Sequence, residues 1–347
     1  MSRVAEEARA ARVETGPIER AGLGSGGLLT LAIVLLAALA APLVAPPHYT
    51  VLMLPFFANC IILLGLNLLF GYTGLLSFGH ALFLGLGAYT TAFCSSQFGI
   101  RSMEVILLLA ALIALVVAVP VGALCVRFVK IYFGLLMLAF SMVFYTFLIK
   151  FSWLTHGDQG VNVRAPTLLG AISPAVGESI QFLTGPYYYY CLALLLILGF
   201  VMWRIVHSPF GLCLRAVRDN PQKAEYLGVG VRRYRWYAFI ISAVYGGIGG
   251  ALLAPPASLA DPTMVYWTNS GNLVFMTVLG GFGHFFGPVI GAFVFIFLQD
   301  WVMSKTEYWR FVFGAILALL VVFAPGGLMG LLTRSLASRR FPARPAG

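Results

Sequence analysis

Hydrogen-bonding side chains cluster in one glycine-rich stretch of an otherwise apolar chain, GYTGLLSFGHALFLGLGAY at residues 71–89. Non-helical backbone at membrane depth is tolerated only where protein buries it or where it lines a wet cavity. The stretch is therefore a candidate for a translocation path or its gate. Tight helix packing is the alternative, because small residues serve that purpose too. The candidate residues in this stretch are Gly71, Thr73, Gly74, Ser77, Gly79 and His80.

A second polar set lies later in the chain. Phe78-Gly79-His80 is echoed by the tripeptide at 282–284, which supplies Gly283 and His284. Both copies precede helices that run in the same predicted direction, so we interpret the echo as a shared packing solution or chance rather than an inverted repeat. His80 and His284 could pair, although an intramembrane histidine is more often a hydrogen-bonded structural residue. Three further path candidates, which could instead bond to neighbouring helices, are Asn269, Ser270 and Asn272.

The chemistry of energy supply separates the transport classes. A secondary transporter usually keeps an ionisable residue near the bilayer midplane, whereas the carboxylates here fall at span ends or outside the spans. A nucleotide-hydrolysing chain would carry a GxxxxGK[ST] phosphate loop, and none of the four lysines stands in one. If ATP drives transport, another subunit must bind it. A passive channel for a small neutral solute needs neither feature.

A compact helix with its own end signals stands between two apolar runs, in SPFGLCLRAVRDNPQKAEYLGVGVRRYR at 208–235. Asn220 is suited to cap it, Pro221 to occupy its first turn, and Gly228 to end it in the left-handed conformation. Ala224 and Leu227, three residues apart, predict a small apolar stripe surrounded by charge. Such a helix is suited to docking on another protein. The alternative is a solvated loop folded against the membrane surface.

These segments must be held by membrane helices, since the 347 residues are 60% apolar and only 10% charged. Runs of about 20 apolar residues can cross the bilayer, and we find ten. The predicted fold is an all-α, polytopic transmembrane helical bundle. The eighth run is short and ends in glycine, so it could be broken or re-entrant. The runs are 27–46, 50–70, 75–97, 104–126, 131–151, 187–206, 234–254, 267–281, 287–303 and 309–329.

Positive charge chooses the orientation, because Lys and Arg accumulate in cytoplasmic loops. Of the 22 basic residues, 17 fall on the side of both termini, and only Arg101, Lys150, Arg164, Lys305 and Arg310 fall opposite. Both termini are therefore predicted to be cytoplasmic. Topology explains the net charge of +10 without a nucleic-acid partner. Five cysteines without CxxC spacing suggest neither a metal site nor a disulfide framework.

The predicted organisation has three parts. Residues 1–26 mix arginine with glutamate and are predicted to be a disordered cytoplasmic arm, which favours an uncleaved first helix over a secretory signal. Residues 27–330 are predicted to form the transmembrane domain, with a cytoplasmic loop at 207–233 and a periplasmic loop at 152–186. Residues 331–347 are a basic cytoplasmic tail.

The stretches at 71–89, 208–229 and 278–293 (VLGGFGHFFGPVIGAF) together resemble the membrane permeases of bacterial branched-chain amino-acid ABC importers, the LivH/LivM family, and more closely the LivM type. The resemblance covers about residues 50–330. It implies a type II-like ABC importer permease in the bacterial inner membrane, without its own ATPase site or cofactor. ATP and Mg²⁺ would be bound by partner subunits. Family permeases also serve urea, short amides and aromatic acids.

The resemblance also implies partners and roles. The partners are a second, LivH-like permease, two cytoplasmic ATP-binding subunits, a periplasmic substrate-binding protein and membrane lipid. The loop THGDQGVNVRAP at 155–166 would face the binding protein through Asp158, Gln159 and Arg164. The stretch 215–228 would be the coupling helix in a groove of an ATPase. Its coupling residues would be Arg215, Arg218, Asp219, Asn220, Pro221, Lys223, Ala224, Glu225, Leu227 and Gly228.

Overall fold

The computed structural model describes residues 25–44, 46–128, 131–170, 172, 179–323 and 326–330, and these are mostly helical. The predicted arm at 1–26 and the tail at 331–347 lie outside the described residues, except Ser25 and Gly26. Contacts divide the chain into two compact units, residues 1–45 and 46–347. The first unit contributes one described helix, α1 (Ser25–Val44).

The second unit contains eleven further helices of six residues or more in the described part of the chain. They are α2 (Pro47–Thr73), α3 (Ala81–Ser96), α4 (Met103–Cys125), α5 (Ile131–Lys150), α6 (Tyr188–Val206), α7 (Pro209–Asp219), α8 (Pro221–Tyr226), α9 (Val231–Ala257), α10 (Trp267–Gly280), α11 (Gly287–Met303) and α12 (Trp309–Phe323). Two strands, β1 (Val161–Asn162) and β2 (Leu259–Ala260), pair antiparallel, with Val161 opposite Ala260.

Each of the ten predicted apolar runs overlaps one of these helices. Among the described residues, five helices are long and apolar enough to cross a membrane: α2, α4, α5, α9 and the segment Ile180–Val206 that includes α6. Four shorter apolar helices are Leu35–Val44, Ala81–Ser96, Gly287–Met303 and Trp309–Leu320. The pattern indicates a multi-pass membrane protein.

One predicted boundary needs correction, and one predicted short helix is confirmed. The third run was predicted to be helical from Leu75, but α3 begins only at Ala81. α10 has 14 residues and is about 21 Å long at 1.5 Å per residue, shorter than the roughly 30 Å of hydrocarbon. The structure therefore agrees with the short eighth run and gives the third helix a later start.

The helical bundle of the second unit has two ends, each defined by its contacts. At one, which we call the α7 end, α7 contacts the end of α2, the end of α6 and α9. At the other, which we call the β end, Val163 N donates to Ser258 O at 3.0 Å and Met103 N to Thr167 O at 3.0 Å. The predicted cytoplasmic loop thus lies at one end of the bundle, and the predicted periplasmic loop lies at the other.

α9 is the centre of the second unit, because it packs against α2, α3 and α4. Its small-residue run GGIGGA at 246–251 allows the close backbone approach that holds membrane helices together. Earlier in α9, Phe239 forms a core with two other aromatic rings. Its ring centre lies 5.5 Å from that of Phe83 and 6.1 Å from that of Phe133, edge to face in both pairs. This core holds the beginning of α3 in place.

Candidate functional site

The segment between α2 and α3 is non-helical and lies largely inside the protein. α2 ends at Thr73, whose hydroxyl donates back to Leu69 O within the helix. Gly74 then adopts a φ of 74°, the left-handed conformation that glycine takes without steric cost. Residues 74–80, which we call the linker, run on to α3, and Ser77, Gly79 and His80 are buried. The linker is thus non-helical backbone, one of the two interpretations that the glycines of the 71–89 stretch left open.

The linker packs directly on α5. A Cβ atom at Gly79 would lie 1.9 Å from the backbone oxygen of Met137, so only glycine fits there. The role of Gly79 seen in the structure is therefore close packing, which is the alternative that sequence analysis left open. Gly71 is equally confined, because its Cβ would lie 2.4 Å from Phe282 O.

His80 joins the linker to the middle of α9. Its Nε2 lies 3.2 Å from Ser242 O and 3.3 Å from Ser242 Oγ. Two other linker atoms, His80 Nδ1 and Ser77 Oγ, are buried without a hydrogen-bond partner in the described part of the chain. A buried polar atom left without a partner costs about 1–3 kcal/mol. A hydrogen bond from these two atoms to a water or a polar solute would therefore stabilise the linker.

α10 contributes the three polar candidates in two different ways. Ser270 is buried, and its Oγ accepts a hydrogen bond of 2.9 Å from Ala81 N, which caps the first turn of α3. Asn269 and Asn272 instead line a cavity between α2, α9, α10 and α11. Ser270 therefore has the hydrogen-bonded structural role that we weighed as the alternative, whereas the two asparagines face open space.

The second FGH tripeptide lies in the connection between α10 and α11. The backbone oxygen of His284 accepts a hydrogen bond of 3.2 Å from Asn67 Nδ2, which ties this connection to α2. Gly283 has open space where a Cβ would stand. No hydrogen bond or ring contact joins His80 to His284, so the structure does not bring them together as a pair.

α7 of the 208–235 segment lies against the end of α2. Arg218 of α7 donates a hydrogen bond from Nη1 to the backbone oxygen of Gly71. Arg215 places its guanidinium carbon 6.0 Å from the ring centre of Tyr72 and donates to Val206 O at 3.3 Å. Asp219 forms an ion pair of 3.4 Å with Arg218. The segment thus contacts the last turn of α2, immediately before the linker.

The end signals of α8 are as predicted. Asn220 Oδ1 accepts from Lys223 N at 2.9 Å, Pro221 occupies the first turn, and Gly228 has a φ of 82° just beyond the helix. The predicted apolar stripe is wrong, because Ala224 is only 2% exposed while Leu227 is 83% exposed. Ala224 packs inward, and the exposed apolar surface is formed by Leu227 with Tyr226, which is 89% exposed. Lys223 and Glu225 are also exposed.

The candidate contacts for a binding protein lie at the β end. Asp158 and Gln159 are in a single 3₁₀ turn, Gly157–Gln159, and all three candidate side chains are exposed. Gln159 and Arg164 line a polar cleft of about 470 Å³. The backbone N of Arg164 donates to Ser95 Oγ at 3.3 Å, which fixes this loop to the end of α3.

The cavity that contains Asn269 and Asn272 also gathers residues that sequence analysis did not single out. Asn59 of α2 and Gln299 and Asp300 of α11 line it. Two of them left a signal, since Asn59 and Gln299 are amides inside apolar helices. The signal is weak without knowledge of which helices are neighbours.

Comparison with known proteins gives one consistent result. Residues 49–322 match a family model described as the permease component of the branched-chain amino acid transport system. The high-affinity branched-chain amino acid transport permease LivM of Escherichia coli is 27% identical over 77% of this chain and 66% of its own length. A probable LivM of Methanocaldococcus jannaschii is 25% identical over 78% of this chain and 89% of its own length.

Relatives with other named substrates match shorter regions. The guanosine ABC transporter permease NupQ of Bacillus subtilis is 32% identical over 32% of this chain and 35% of its own length. The chain spans just under two thirds of the Escherichia coli relative. No solved structure matches the chain significantly.

Proposed function

Because the chain belongs to the family of branched-chain amino acid transport permeases, we propose that it is the translocating subunit of an ATP-driven importer for leucine, isoleucine and valine. It works beside a second, LivH-like permease in the bacterial inner membrane, with a type II-like fold of ten spans and both termini in the cytoplasm. Two cytoplasmic subunits bind ATP and Mg²⁺, and a periplasmic protein delivers the substrate.

The observation that carries this proposal is the contact between the α7–α8 pair and the end of α2. A docking surface that moves with an ATPase must be mechanically joined to the transport path. Arg218 supplies that joint, because it bonds Gly71, three residues before the linker begins. Movement of α7 then changes the position of the linker and the packing of Gly79 on α5.

The docking surface itself is the exposed side of α8. Tyr226 and Leu227 project at the end of a short capped helix, beside the exposed polar side chains of Gln222, Lys223 and Glu225. Exposed aromatic and aliphatic side chains inside a polar rim are typical of protein interfaces. Capping by Asn220 keeps this helix rigid, so a displacement of the ATPase is transmitted to α7 rather than absorbed within α8.

At the opposite end of the bundle, the loop with Asp158, Gln159 and Arg164 meets the binding protein. It is fixed to the core by the β1–β2 pairing and by the bond to Ser95. The exposed charges steer the encounter more than they add affinity, since exposed ion pairs contribute about 0–1 kcal/mol.

Co-purification followed by an ATPase assay tests the proposal. The tagged chain should recover a second permease and two ATP-binding subunits encoded beside it. In proteoliposomes the ATPase rate should rise when a leucine-loaded binding protein is added. A response only to another ligand would keep the permease role and replace the substrate, whereas solute flux without any ATPase partner would indicate a passive channel.

A further inference from the structure

The cavity at the β end has the size and lining of a small-molecule site. Its volume is about 560 Å³, within the roughly 300–1,000 Å³ of ligand pockets. Three of the four helices around the cavity each contribute a regularly spaced set of residues. The sets are 48, 52, 55 and 59 of α2, 269, 272, 273 and 276 of α10, and 296, 299, 300 and 303 of α11. Spacings of three and four residues place each set on one side of its helix.

Most of the cavity wall is apolar. Leu84, Leu253, Met276, Phe295 and Ile296 are among the residues that line it. An aliphatic side chain fits such a wall, because each buried CH₂ group contributes about 0.8 kcal/mol. A ligand composed only of polar groups would leave most of this surface wet.

The polar groups of the cavity are rich in hydrogen-bond acceptors. Asn59 Nδ2 donates to Pro55 O at 2.8 Å, and Asn269 Nδ2 donates to Thr263 O at 2.8 Å. These bonds direct each amide nitrogen to its own backbone and leave the amide oxygens to accept. Asp300 adds a carboxylate at the same cavity.

A ring nitrogen already lies beside that carboxylate. His48 Nε2 lies 3.2 Å from Asp300 Oδ2, and both side chains line the cavity. A primary ammonium carries three donors, so it can replace the His48 ring nitrogen on Asp300 and keep two donors for other acceptors. The amide of Asn272 also lines the cavity. Its N–H groups are donors that suit the carboxylate of the ligand.

We propose that this cavity binds an α-amino acid with an aliphatic side chain, with the ammonium group on Asp300 and the side chain against the apolar wall. The inference rests on the proposed transport function and extends it, because it makes this chain a selective element in addition to the binding protein. The ammonium ion displaces His48 from Asp300 when it binds.

The test is binding of [³H]leucine to the complete transporter in lipid nanodiscs, without the binding protein. Unlabelled 3-methylbutylamine, which keeps the ammonium and the aliphatic group, should compete with leucine. The acid 4-methylpentanoate, which lacks the ammonium, should compete at least tenfold less well. Equal competition by both compounds, or no leucine binding by a transporter that takes up leucine, would overturn the inference.

Matched variants assign the binding to the cavity. Asp300→Asn should weaken leucine binding at least tenfold, since hydrogen bonds to charged groups are among the strongest. Glu307→Gln removes an exposed carboxylate that does not line the cavity, and it should bind leucine as the parent does. Unchanged affinity in Asp300→Asn would refute the site.

The two proposals fail separately in these experiments. Stimulation of ATPase by the loaded binding protein together with unaltered leucine affinity in Asp300→Asn would leave the importer function standing and remove the cavity site. Leucine binding in the cavity without any ATPase stimulation would leave the site and remove the importer function.

Discussion

Arg218 of α7 donates a hydrogen bond to the backbone oxygen of Gly71, 147 residues earlier in the chain. The acceptor lies in the last turn of α2, immediately before the backbone leaves the helix at Gly74. One side chain thus joins α7 to the last turn of α2, from which the linker leads on to α5 and α9. In the proposed importer, this bond would carry a movement of α7 to the linker.

Replacing Arg218 with methionine should uncouple ATP hydrolysis from uptake. The variant loses a charged hydrogen bond, which contributes about 1.5–3 kcal/mol, and we expect leucine uptake per ATP hydrolysed to fall about tenfold. Proteoliposome uptake and ATPase rates, measured on the same preparation, check this. Arg233→Met serves as the control, because Arg233 is an exposed arginine at the start of α9. Equal coupling in the two variants would contradict the role of Arg218.

The two FGH tripeptides should respond differently to the same substitution. Gly79→Ala places a Cβ 1.9 Å from Met137 O, whereas Gly283→Ala meets open space. Overpacking of this kind costs about 1–3 kcal/mol or more. Thermal unfolding followed by size-exclusion chromatography should therefore show a clear loss of stability for Gly79→Ala and little change for Gly283→Ala. Similar losses of stability in the two variants would contradict this prediction and would indicate that the two tripeptides occupy equivalent positions in a repeat.

Aspartate substitutions on α8 separate docking from folding. Leu227→Asp adds a charge to an 83% exposed position, so the chain should fold normally but recover less ATPase on co-purification. Ala224→Asp buries a charge at a position that is 2% exposed, so it should lower the unfolding temperature. Full ATPase recovery by the folded Leu227→Asp variant would place the docking surface elsewhere.

Two buried serines make a further matched pair. Ser270→Ala removes the acceptor for Ala81 N, and loss of a helix cap costs about 0.5–2 kcal/mol. Ser77→Ala removes a hydroxyl that has no partner in the described structure, so stability should stay the same or rise. Transport should nevertheless slow in Ser77→Ala if that hydroxyl meets the solute. Thermal unfolding and uptake assays on both variants decide between these roles.

Hydropathy located ten of the helices, because each of them coincides with a run of mostly apolar residues. End signals were equally local, and so Asn220, Pro221 and Gly228 were predicted correctly. The exposure of Leu227 was not predictable. Three-residue spacing would place it on the same side as Ala224 if the helix continued, but α8 ends at Tyr226. The Arg218 bond and the cavity depend on which distant helices are neighbours, and no local pattern carries that information.

The hydrogen bond between Asn67 and His284 has a consequence for how the chain is made. Its partners are 217 residues apart, and at about 5–20 residues per second a ribosome needs on the order of 10–40 s to produce the second after the first. Throughout that interval α2 stands in the membrane with an amide whose eventual acceptor has not been synthesised. Until residue 284 is made, the Asn67 amide needs another hydrogen-bond partner, because an unpaired polar group in hydrocarbon costs several kcal/mol.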